Sequence, residues 1–93
     1  MIMKTAKYVL EIYEPGSIYN PWVSYESLFP FMALNRGDFI NPGPWTDTTH
    51  PKDVARITGL EHLVMEAGDK IIHKVLVFTE LVPNTPEGKY GQP

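Results

Sequence analysis

Three histidines, His50, His62 and His73, are the residues best suited to chemistry near neutral pH, because imidazole is the side chain that ordinarily changes charge there. A metal centre or an acid–base site would need two or three of them to converge, with Asp47, Asp53 or Glu61 as carboxylate neighbours. None stands in a short ligand spacing such as His-x-His or His-x-x-x-His. For His62 and His73 the outcome depends on strand register. A two-residue turn at Gly68-Asp69 pairs Val64 with His73 and His62 with Val75, so both imidazoles lie diagonally on one face. A three-residue turn over 67–69 slips the pairing by one and sends them to opposite faces. The second register also gathers Leu60, Val64, Ile72, Leu76 and Phe78 on one side, and that grouping favours it as the core arrangement.

A second group of candidates is aromatic. Tyr13, Tyr19, Trp22, Tyr25, Phe29, Phe31, Phe39 and Trp45 fall in the first half of the chain. A domain this small needs large side chains to fill its core, and the phenylalanines serve that purpose. Tyr19, Trp22 and Tyr25 sit beside prolines or polar residues. With Trp45 they define a surface for a protein or peptide partner. Trp45 belongs to a proline-rich loop that also carries Asp47, Thr48, Thr49 and His50, with Asp53 just beyond, and loops placed by a rigid scaffold carry function more often than strands do.

Other chemistry lacks its residues. There is no cysteine, so disulfides, thiolate catalysis and cysteine-type zinc sites are excluded. No Gly-x-Ser-x-Gly elbow, phosphate-cradling glycine loop or dinucleotide fingerprint is present, and no cofactor is expected. Arg36-Gly37-Asp38 is read as a turn. Eight basic residues against eleven acidic ones, a formal charge of −3 and no basic run argue against nucleic acid as the partner.

These groups must be positioned by strands. Residues 7–14 contain Tyr8, Val9, Leu10, Ile12 and Tyr13 and end at Pro15-Gly16, which reads as a strand. Residues 17–35 hold Pro21 and Pro30 yet are rich in apolar side chains. They read as a long excursion folded over the sheet, with a helical turn beginning at Ser24. A short strand over 38–41 and a loop over 41–51 follow. Residues 54–66 and 70–82, joined at Gly68-Asp69, form a long hairpin in which Gly59 permits a bend. Glu61 and Lys74 read as cross-strand partners within it. Prolines 83 and 86 end the last strand.

The fold class is therefore mainly β: a small bent sheet or partly open barrel of about five strands, with a long first loop and a C-terminal hairpin. Residues 1–83 form one domain and 84–93 a loose tail. The stretch Leu34-Asn35-Arg36-Gly37-Asp38-Phe39-Ile40 resembles the turn that returns the long first loop of SH3-type barrels to the sheet. The peptide-groove signatures of SH3 domains are missing, and their ligand is not carried over. No segment approaches the ~20 apolar residues of a membrane-spanning helix, so a cytoplasmic setting without membrane contact is expected. The functional expectation is a non-enzymatic protein- or peptide-binding module, with self-association through the hairpin edge as a related outcome. Its alternative is a small enzyme or a metal- or small-ligand-binding protein built on the histidines.

Overall fold

The structure is a computed structural model that describes residues 4–46 and 51–91. Five strands form one mixed sheet in the order β2-β1-β5-β4-β3, curled into a half-barrel. They are β1 (Thr5–Tyr13), β2 (Pro21–Ser27), β3 (Phe39–Ile40), β4 (Asp53–Ala67) and β5 (Lys70–Pro83). Two short helices, α1 (Gly43–Thr46) and α2 (Pro86–Tyr90), follow β3 and β5.

The long hairpin is the frame. β4 and β5 pair antiparallel from Asp53↔Pro83 to Ala67↔Lys70, leaving a two-residue turn at Gly68-Asp69. Gly68 has φ 64°, a left-handed conformation that glycine adopts without the Cβ clash other residues meet. Val64 lies opposite His73 and His62 opposite Val75. The three-residue turn favoured by hydrophobic grouping is thus incorrect: the turn chemistry decides the register. The bend expected at Gly59 is a bulge between Ile57 and Gly59. The inserted residue switches alternation, so Ile57 and Leu60 both face the core.

β1 runs parallel to β5, from Thr5↔Lys70 to Ile12↔Val77, and β2 adds antiparallel to β1. β2 occupies part of the segment expected to be an excursion with a helical turn, so that expectation is corrected. Pro21 is its first residue and β2 is an edge strand, a place where a missing N–H breaks no ladder. Val23 and Tyr25 lie opposite Ile12 and Leu10, and Ser24 and Glu26 alternate with them.

The core lies on the concave face. Ile12, Ile57 and Val77 are its buried centre, and Leu10, Val23, Leu34, Ile40, Trp45, Leu60 and Val75 pack around them. Each fully buried aliphatic side chain contributes roughly 1.5–3 kcal/mol. The turn at residues 35–38 closes through Asp38 N–H donating to Asn35 O (3.0 Å) and Asn35 N–H donating to the Asp38 carboxylate (2.8 Å). Pro86–Tyr90, expected as loose tail, form α2, which is capped by Thr85 Oγ1 accepting from Gly88 N–H at 3.0 Å. A Cβ at Gly88 would collide with the Pro83 carbonyl oxygen, so α2 meets the end of β5 only with glycine there.

Candidate functional site

The observed register places His62 and His73 together on the concave face, with ring centres 5.1 Å apart and Nδ1 of His62 2.9 Å from Nε2 of His73. One imidazole must donate and the other accept. The side chains before them on the same face of β1 and β5 are Tyr8, Leu10 and Val75, and Tyr8 stands 6.1 Å from the His73 ring. Opposite this wall runs the chain from β2 to β3. Its residues 30–34 form a strap over the concave face and enclose a cavity of about 300 Å³. Leu10, Leu60 and Val75 line one side, Phe31 and Leu34 the other, and Tyr8, His62 and His73 supply the polar groups. The strap carries Met32 at 91 % exposure, and Phe29 just before it is 75 % exposed. Its sequence therefore commits fewer side chains to the core than its apolar content implies.

The aromatic candidates divide. Trp45, on α1, donates its indole N–H to the Tyr25 hydroxyl at 2.7 Å and meets the Trp22 ring edge-on at 5.2 Å. Because Tyr25 and Trp22 sit on β2 while Trp45 follows β3, these contacts link the two rims of the half-barrel. Trp45 also packs on the core. Tyr19 stands exposed in the β1–β2 turn, its N–H donating to Ser17 Oγ at 3.1 Å. Beside Trp22 an open cleft of about 510 Å³ is lined by Pro15, Pro42, Pro51, Asp53 and Leu81. Asp47 and His50 lie outside the described residues. Among the described residues no group of three or more His, Asp or Glu could hold a metal ion, and no helix is long and apolar enough to cross a membrane.

A separate polar chain occupies the convex face. Tyr13 O–H donates to Glu11 Oε1 at 2.6 Å, and Lys74 Nζ lies 3.1 Å from Glu11 Oε2. Lys74 therefore engages Glu11 rather than Glu61, which faces Leu76. The Tyr13 hydrogen bond is the main cause holding the Glu11 carboxyl below its ordinary 4.5; burial opposes it and Lys74 assists it. The same bond, then burial, pushes the Tyr13 phenol up to about 12.

The pocket residues that the sequence reading did not single out are Tyr8, Leu10, Leu60 and Val75. Their signal was present as strand alternation, and it becomes a site only once β1 is known to lie beside β5. No protein-family model, no curated protein and no solved structure matches this chain.

Proposed function

We propose that this chain binds a small, largely apolar molecule with a carboxylate or similar accepting head, held in the concave pocket with its head against His62 and His73. The observation that carries the reading is the convergence of two hydrogen-bonded imidazoles and Tyr8 at one apolar, strap-covered cavity. Few polar groups at an otherwise apolar concavity is the general form of small-ligand sites. The volume sits at the lower end for such sites and admits roughly ten water-sized groups at about 30 Å³ each.

The imidazole pair suits an anion. When neutral, it uses one donor and one acceptor internally and keeps one of each on the outer nitrogens. With one added proton it keeps the internal bond, carries a positive charge and turns both outer nitrogens into donors. A carboxylate selects that state and forms charge-assisted hydrogen bonds with it.

Benzoate is a probe of fitting size and charge. In an NMR titration we expect saturable shifts at the Leu10, Leu60 and Val75 methyls and at both imidazoles. Leu60→Trp fills the cavity and should remove these shifts while the remaining spectrum stays folded. Shifts clustered elsewhere, or unchanged binding by the filled variant, would overturn the proposal.

A second reading, a peptide-binding module, draws on the cleft beside Trp22, where proline rings and Leu81 line an open surface. Trp22 is its anchor, whereas Trp45 and Tyr25 already satisfy one another. Panning an apolar peptide library against the wild type and Trp22→Ala tests it. Enrichment confined to the wild type supports the module, and equal enrichment on both removes it.

A further inference from the structure

The two edges of the sheet are protected unequally. β2 is short, begins with Pro21, and carries Glu26 paired to Lys7 at 3.2 Å. β4 is fifteen residues long, but β3 pairs only with Ala55 and Arg56. Ile57 N–H donates to Asp38 O and Gly37 N–H donates to Ile57 O, both at 2.8 Å, so the backbone of Ile57 points away from β5. In a strand of given direction, side-chain face and hydrogen-bond direction alternate together. Leu60 and His62 share the concave face of Ile57. By the same alternation Leu60, His62, Val64 and Glu66 turn their N–H and C=O toward the open side. Residues 59–67 contain no Lys, Arg or Pro, and the ladder is regular beyond Gly59. Beyond the Gly59 bulge the only charged guards on this edge are Glu61 and Glu66, while Leu63, Val64 and Met65 are exposed.

We propose that two copies of this chain join edge to edge through residues 59–67 of β4, antiparallel about a two-fold axis at Val64, to make one continuous sheet. A two-fold axis normal to a sheet keeps faces matched, so residues can be opposed only in same-parity pairs. With the axis at Val64, His62 lies opposite Glu66 of the partner subunit, Leu63 opposite Met65 of the partner subunit, and Val64 opposite its own copy. The imidazole–carboxylate pair occurs twice by symmetry; Glu66 Oε2 already accepts from Lys4 Nζ of its own chain at 2.9 Å, and Oε1 is the oxygen left for the imidazole. Moving the axis to Leu63 sets Glu66 against Leu60, and moving it to Met65 sets Glu66 against Val64. Both shifts leave the carboxylate facing an aliphatic side chain. Every same-parity register opposes outward-pointing residues, with about six new backbone hydrogen bonds for the axis at Val64 and about eight for the axis at Leu63. The His62–Glu66 pairing is what selects Val64. Such a contact is self-complementary and closes at two copies. It shares His62 with the concave pocket, and it is tested by sedimentation without added ligand, so that its failure and that of the pocket reading are read separately.

Sedimentation of the full chain across micromolar to millimolar concentration should show a monomer–dimer equilibrium without larger species. Val64→Pro deletes an N–H that points away from β5, so the hairpin should remain intact by circular dichroism. The dimer should dissociate at least about tenfold more readily. His62→Glu opposes like charges and should weaken the dimer. The double exchange His62→Glu with Glu66→His should restore it. A monomer at every concentration, a folded Val64→Pro variant that dimerises unchanged, or no rescue by the double exchange would overturn the proposal.

Discussion

Along the inner half of the β4–β5 hairpin Val54, Ala55, Ile57, Val77 and Val82 are buried, whereas every residue from 61 to 70 is exposed. One ladder runs through both halves without a break beyond the Gly59 bulge. The backbone pairing is therefore shared, and the difference lies in what covers the strands. Inside, β3, Leu34 and Trp45 close over the concave face. Outside, β5 has β1 beside it, but among the described residues β4 has no strand on its other flank. The molecule is 56 Å long and 27 × 23 Å across, in keeping with a packed body and a projecting arm. Hydrogen-bonded pairing can thus extend well beyond the core, and the arm retains apolar side chains whose burial is still available to a partner.

The largest effect that tests this contrast is a pair of truncations. Ile57→Ala should cost about 2–5 kcal/mol, since it opens a cavity at the packed centre. Leu63→Ala in dilute monomer should cost less than about 1 kcal/mol. Urea denaturation measures both, and equal costs would break the distinction between body and arm.

The convex polar chain gives a pH-dependent contrast. Tyr13 has its pKa raised from 10.0 to about 12 in the folded state, so its contribution is full below pH 10 and is lost as pH rises toward 12. Glu11 is shifted down from 4.5, so its contribution is full above that value and is lost as pH falls through the depressed one. Tyr13→Phe should abolish most of the alkaline loss and cost about 1 kcal/mol at neutral pH. Denaturation midpoints of both proteins between pH 7 and pH 12 provide the check.

A smaller effect is expected where the rims meet. Trp45→Phe keeps the ring on the core but loses the donor to Tyr25, for about 0.5–1.5 kcal/mol. The smallest is Thr79→Val. The Thr79 hydroxyl is buried and has no hydrogen-bond partner among the described residues, so an isosteric methyl should leave stability unchanged or raise it slightly. A clear loss at Thr79→Val would show that the hydroxyl has a partner.

What could be read from the sequence follows the same division. β1, the hairpin and the Gly59 bend were legible, because β-branched runs and turn residues are local signals. β2 was obscured by Pro21, although the Val23/Tyr25 alternation was there and an edge strand tolerates proline at its start. Hydrophobic grouping points to the wrong register because it weights Leu60, Val64, Ile72, Leu76 and Phe78 equally as core residues. Val64 lies on the arm and is 67 % exposed, so it exerts no burial pressure on register. The local chemistry of Gly68-Asp69 determined it instead. The pocket was not legible at all, since the parallel neighbour of β5 comes from more than sixty residues earlier in the chain.

The central claim is that His62 and His73 act together as the head-group reader of the concave pocket. Histidine-selective ¹⁵N NMR of the wild type, without and with benzoate, tests it most directly. The account predicts nitrogen–nitrogen coupling across the His62–His73 hydrogen bond in the free protein. It also predicts that both side chains respond to benzoate along one saturation curve. Uncoupled imidazoles, or a response confined to one of the two, would contradict it.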